Sequence, residues 1–242
     1  MKKMNSFQLK IIALILMLMD HLYFAFSNIF PLWFHPLSRV VAPIFAFLMI
    51  EGFYHTRSRL NYNIRLFGWA IFMEAGNRIL NLALESKGVS VHNNIFMTLF
   101  IGLTIINLIE YSKGKDSTKK LLLILGAIIL IPLSMFTEGG IVIIPFILIT
   151  YFFRGNLKNQ IIGYIILFIP LAFSAIQIYP GDINLTIMQI MFNSDFLFIL
   201  VVPFILLYNG ERGLNNKFSK YLFYVFYPLH LWILAITEFI LK

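Results

Sequence analysis

Of the 242 residues, 60% are hydrophobic and only 12% charged, with no cysteine and a formal net charge of +8. Soluble domains hold roughly 45–50% apolar and about 25% charged residues, so the composition excludes an ordinary soluble domain and indicates an integral membrane protein. The lack of cysteine excludes disulfides, thiolate nucleophiles and cysteine-ligated metals, and the basic excess fits cytoplasmic loop charge rather than a nucleic-acid partner.

A membrane span needs about 17–25 mainly apolar residues. Nine segments meet or approach this: 7–27, 37–56, 61–80, 93–110, 118–135, 140–153, 158–177, 184–208 and 218–240. The expected fold is therefore all-α, a polytopic bundle of about nine transmembrane helices forming a single transmembrane domain over 1–242. The sixth segment is short, and the eighth is interrupted by Asn193-Ser194-Asp195, which suits two half-helices. The start, MKKMNSFQLKIIALILMLMDH, imitates a signal peptide. It has no small-residue cleavage site and carries Asp20-His21 within the span, so it reads as an uncleaved first helix.

Alternating sides from a cytoplasmic N-terminus puts 15 of the 19 basic residues inside, Lys2 and Lys3 among them. Only Arg39, Arg78, Lys87 and Lys242 fall outside. This asymmetry predicts an odd number of spans and a C-terminus outside. The location is the cell membrane, with the lipid bilayer as an obligatory partner.

Asp20 and His21 come first in the chain, toward the outer part of helix 1. An aspartate at a helix centre costs about 2.5–3.5 kcal/mol on insertion scales, so it faces the bundle interior or water. A carboxylate beside an imidazole suits a general base, and a polar anchor between helices is an equal alternative. The second span carries Glu51 and His55 four apart, on one helix face. Thr56-Arg57-Ser58-Arg59 and Arg65 follow. Guanidiniums and hydroxyls in that company suit phosphate, although arginines at a helix end also serve as topology signals alone.

The third span brings Glu74, Asn77 and Arg78 onto one face, with Glu74 and Arg78 spaced as an ion pair. Next, His92-Asn93-Asn94 opens the fourth span. Asn94 fits either a helix cap or a group that orients a substrate carbonyl. In the last span Tyr221, Tyr224 and Tyr227 recur every three residues, and His230 follows a kink expected at Pro228. No HExxH pair, phosphate-binding loop, dinucleotide fingerprint or nucleophile elbow occurs, and no metal is expected.

Four stretches, LKIIALILMLMDH, RVVAPIFAFLMIEGFYHTRSRLNYNIRL, NNIFMTLFIGL and KYLFYVFYPLHL, occur in that order. In this the chain resembles the TraX family of membrane proteins, named for the protein that acetylates the N-terminus of conjugative F-pilin. That family is grouped with the membrane acyltransferases that include the acyltransferase-3 O-acetylases. The resemblance spans nearly the whole chain, while Lys113–Tyr208 adds little to it.

What the resemblance implies is an acetyl-CoA-dependent membrane acetyltransferase. It would move an acetyl group from cytosolic acetyl-CoA to an acceptor amine or hydroxyl at or across the membrane, on a peptide, lipid or glycan. Matched positions are Asp20, His21, Glu51, His55, Arg57, Arg65, Asn94, Tyr227 and His230. On this reading His21, oriented by Asp20, deprotonates the acceptor, and His230 or Asn94 stabilises the oxyanion. Arg57, Arg59, Arg65 and His55, with Glu51 and Tyr227, hold the donor. Two rival readings are a proton-coupled small-molecule transporter, because intramembrane Asp, Glu and His also build proton relays, and a non-catalytic membrane partner of a peptide system.

Overall fold

The computed structural model describes residues 3–242; Lys2, counted above with the inner cations, lies outside them. Eleven α-helices run along the described chain: α1 Ser6–Ala25, α2 Phe34–Ser38, α3 Val41–His55, α4 Arg59–Leu84, α5 Ile95–Ser112, α6 Ser117–Leu133, α7 Gly140–Phe152, α8 Leu157–Ala175, α9 Ile183–Phe192, α10 Val202–Leu207 and α11 Lys217–Leu241. A 3-10 segment, Ser194–Val201, joins α9 to α10. No strand occurs among the described residues, so the all-α expectation holds.

Local chemistry sets the helix starts. Asn5 and Gln8 close a reciprocal capping box on α1, and Asn216 with Ser219 does the same on α11. Asn94 and Asp182 cap α5 and α9 by accepting the N–H of Met97 and Leu185. At the first residue of α7, a Cβ on Gly140 would lie 1.8 Å from the Ser134 carbonyl oxygen, so only glycine fits there.

Helices stand at all nine expected segments, but fewer qualify as spans by length and apolarity. Among the described residues six do: Ser6–Ala25, Phe34–His55, Ile95–Ser112, Ser117–Phe136, Leu157–Ala175 and Lys217–Leu241. A seventh forms if Ile183–Phe192 and Ser194–Leu207, bent by 52°, are one broken span. By that measure six or seven of the nine expected segments stand as candidate spans. The expected span at 61–80 is helix α4, which is too polar because it carries Asn61, Asn63, Arg65, Glu74, Asn77 and Arg78. The expected span at 140–153 is α7, whose 13 residues rise only about 20 Å at 1.5 Å per residue, against a hydrocarbon core of about 30 Å.

The chain gathers into two compact units. The first comprises the chain up to Phe45, Asn77–Val91 and Ile161–Lys242. Its interior is lined by Leu9, Ala13, Ile44, Tyr164, Phe198 and Val201, each nearly inaccessible. The second comprises Ala46–Gly76 and His92–Gln160. Here α5 packs on α7, and Leu103, Ile105, Ile106, Ile143, Phe146 and Ile147 are buried. Of α6, only Ala127 is buried, while Leu121, Leu122, Ile128 and Ile129 are exposed. Exposed side chains of that kind suit acyl chains, and the protein is a multi-pass membrane protein whose interior helix contacts rest on close packing rather than on escape from water.

Candidate functional site

In the first unit three helices bring titratable side chains into contact. α1 contributes Asp20 and His21, α2 contributes His35 and Arg39 just beyond its end, and α11 contributes His230. Asp20, His21, His35 and His230 are all buried, at 8% exposure or less.

His21 Nδ1 lies 2.7 Å from His230 Nε2, and the two rings are nearly stacked with centroids 4.9 Å apart. The second nitrogen of His230 fixes which ring donates. Nδ1 of His230 is 2.7 Å from the Phe226 carbonyl oxygen one turn earlier. A carbonyl only accepts, so His230 Nδ1 carries the proton and Nε2 is bare. His21 therefore donates from Nδ1, which leaves its own Nε2 bare. Among the described residues nothing hydrogen-bonds His21 Nε2. The pair is thus an oriented base. A proton taken at His21 Nε2 creates a cation whose Nδ1–H already rests on His230, and His230 in turn rests on a backbone carbonyl. This parallels the base-and-orienter logic of hydrolytic triads, with imidazole and carbonyl in place of carboxylate.

The expectation that Asp20 orients His21 is corrected. Successive residues on a helix point about 100° apart, and the two side chains meet different neighbours. Asp20 Oδ1 is 2.7 Å from His35 Nδ1, and Oδ2 is 3.1 Å from Arg39 Nη2. Arg39 Nη1 also reaches Asp195 Oδ1 at 3.1 Å. His35 and Asp195 are members of this array that sequence reasoning passed over or left unassigned. The available signal was the i, i+4 spacing of His35 and Arg39, hidden because α2 is a five-residue helix starting between two expected spans.

His230 has both nitrogens engaged, so it supports His21 rather than a developing oxyanion. Tyr227 is buried beside it, with ring centroids 5.9 Å apart, and belongs with the histidine pair. Tyr221 is exposed and Tyr227 buried, so these two tyrosines do not share one surface. α11 runs on through Pro228.

The other expected site residues belong to the second unit. Asn94 is buried and occupied: it caps α5 and donates from Nδ2 to the Ala70 carbonyl at 3.0 Å. That is the capping alternative. Glu51 pairs with Arg154, Nε to Oε1 at 3.0 Å, rather than with His55. His55 Nδ1 turns to the Glu51 carbonyl at 2.7 Å. Arg57 is exposed between α3 and α4. Arg59 lies 4.2 Å over the Phe53 ring and 3.7 Å from Glu110 Oε1, and Arg65 lies 5.1 Å over the Tyr62 ring.

Glu110 also accepts from Tyr151 Oη at 2.5 Å and Lys113 Nζ at 2.7 Å. The bond to Glu110, and then that to Tyr151, holds the Lys113 ammonium above its ordinary pKa. With Arg154 over the Tyr54 ring at 4.0 Å, the ends of α3, α5 and α7 and the start of α4 form a cationic, aromatic cluster. Among the described residues no group of three or more His, Asp or Glu side chains is arranged to hold a metal.

No solved structure matches this chain. The "Probable fimbrial assembly protein FimC, serogroup H1" of Dichelobacter nodosus is 25% identical to it, over 98% of this chain and 97% of the relative. The family pattern described as TraX protein matches residues 6–238. With its aspartate–histidine step, HTR element and YPLHL element all inside that match, the chain belongs to the TraX family.

Proposed function

We propose that this protein is an acetyl-CoA-dependent acetyltransferase of the cell membrane, with its N-terminus cytoplasmic and its C-terminus outside. The observation that carries the proposal is the oriented pair His21–His230, which leaves one bare imidazole nitrogen in a buried site of a TraX-family chain. An acceptor amine or hydroxyl attacks the acetyl thioester carbonyl as His21 Nε2 takes its proton. The carbon–sulfur bond then breaks, and His21 returns the proton to the departing thiolate, giving acetylated acceptor and free CoA. The fimbrial-assembly name of the relative favours a peptide N-terminus as acceptor; lipid and glycan are the other acceptor classes. Arg57, Arg59 and Arg65, in the second unit, are the proposed holders of the donor's phosphates, on residue chemistry alone.

The test is incubation of the full-length protein in nanodiscs with acetyl-labelled acetyl-CoA, with and without membrane extract of its host. Label on a peptide, lipid or glycan supports the reading and names the acceptor class. A folded protein that neither binds acetyl-CoA nor transfers label overturns it. The broken pair Ile183–Phe192 and Ser194–Leu207 favours a second reading, transport, because discontinuous helices form transporter sites. Solute flux into liposomes with no chemical change would select that reading.

A further inference from the structure

At Phe192 the last turn of α9 ends, and the chain bends by 52° into Ser194–Leu207. In an unbroken helix the Phe192 carbonyl would accept the N–H four residues on. The break leaves it without that partner, in a region where unsatisfied backbone groups are costly. Its partner is His35 Nε2, at 3.0 Å. On the other side of the break Asp195 accepts from Arg39 Nη1 at 3.1 Å. His35 and Arg39 are one helical turn apart, so one short helix grips the break from both sides.

The same two residues hold α1. His35 Nδ1 and Arg39 Nη2 take one oxygen each of Asp20, the residue before His21. Both ring nitrogens of His35 are thus engaged, Nδ1 with Asp20 and Nε2 with the Phe192 carbonyl. Arg39 in turn faces both the buried carboxylate of Asp20, a pairing by which buried charge is tolerated, and the exposed carboxylate of Asp195. The ring is also fixed sideways, with Phe24 edge-on at 4.9 Å and Phe192 at 5.7 Å.

We infer that His35 is a positioning residue: by tying Asp20 on α1 to the Phe192 carbonyl at the helix break, it locks the broken helix and the His21-bearing turn of α1 into one arrangement. The kinetic consequence rests on the acetyl-transfer reading; the clamp itself does not. Arg39 backs the arrangement through Asp20 and Asp195, and Ser38 Oγ steadies α2 by donating to the His35 carbonyl at 2.7 Å.

Two near-isosteric variants separate the two bonds. His35→Gln keeps an N–H where Nε2 donates to Phe192, and His35→Asn keeps one where Nδ1 donates to Asp20. Hydrogen exchange at Asn193–Phe196 in nanodiscs reads the break without any activity assay. Losing one buried hydrogen bond is expected to speed exchange there by about tenfold in His35→Asn and His35→Ala, while His35→Gln stays near wild type. In label transfer, His35→Ala is expected to lower kcat with the donor KM unchanged, and His35→Gln to recover part of it. Wild-type exchange at the break in His35→Ala, or equal protection by Asn and Gln, overturns the clamp. If the wild type transfers no acetyl yet shows this exchange pattern, the clamp stands and the acetyltransferase reading falls.

Discussion

The histidine array of the first unit is buried, whereas the cations clustered in the second are substantially exposed. Asp20, His21, His35 and His230 are at most 8% exposed, and each contact is a short bond of fixed direction. In the second unit the side chains of Arg59, Lys113 and Arg154 are 41%, 64% and 37% exposed, each near a carboxylate. A buried array must match every donor to an acceptor, because an unpaired charge there has nowhere to go. An exposed cluster can exchange its partners for water or a passing anion, since screening makes each pair worth about 0–1 kcal/mol. On the proposed reading, the first array serves directed proton transfer and the second reversible capture of phosphate.

Substitutions can break this contrast in order of expected effect. His21→Ala removes the bare nitrogen and is expected to cut acetyl transfer by about 10²–10⁴-fold, with acetyl-CoA binding intact in the same preparation. Loss of binding with normal turnover at saturation would assign His21 to the donor site instead. Asp20→Ala leaves His35 and Arg39 facing each other without the anion between them. Thermal unfolding in nanodiscs should show a loss of about 3–5 kcal/mol, and unchanged stability would mean that water reaches this array.

Smaller effects belong to the second unit. Arg57→Ala is expected to raise the donor KM severalfold at unchanged kcat, and added salt should weaken donor binding, because exposed charges are screened within about 10 Å at 0.1 M. Donor affinity indifferent to both would remove phosphate from this cluster. Smallest of all, Glu51→Gln breaks the pair with Arg154 at a cost of about 0–1 kcal/mol. A much larger loss would show that the second unit also depends on buried charge.

The helical, membrane-spanning character was legible because apolar runs report bilayer thickness directly, and Asn193-Ser194-Asp195 marked the helix break by itself. The number of spans was less legible. α4 alternates long apolar side chains with Asn and Arg, and α7 is apolar enough but too short. His21 and His230 stood out as ionisable groups inside apolar runs. Their pairing did not, since 209 residues separate them and only packing of α1 on α11 brings them together. Asp20 was matched to the wrong histidine because adjacency in sequence means divergence on a helix. His35 sat in a loop-like stretch, FPLWFHPLSR, where nothing local announced a helix or a partner.

The pair of tautomers is the most direct test. Nitrogen NMR on the histidine-labelled protein in nanodiscs, with His21 assigned by its loss in His21→Asn, reads which ring nitrogen holds each proton. The account predicts a proton on Nδ1 and a bare Nε2 for His21, with His230 also protonated at Nδ1. A His21 proton found on Nε2 would leave no base facing the acceptor and would contradict it.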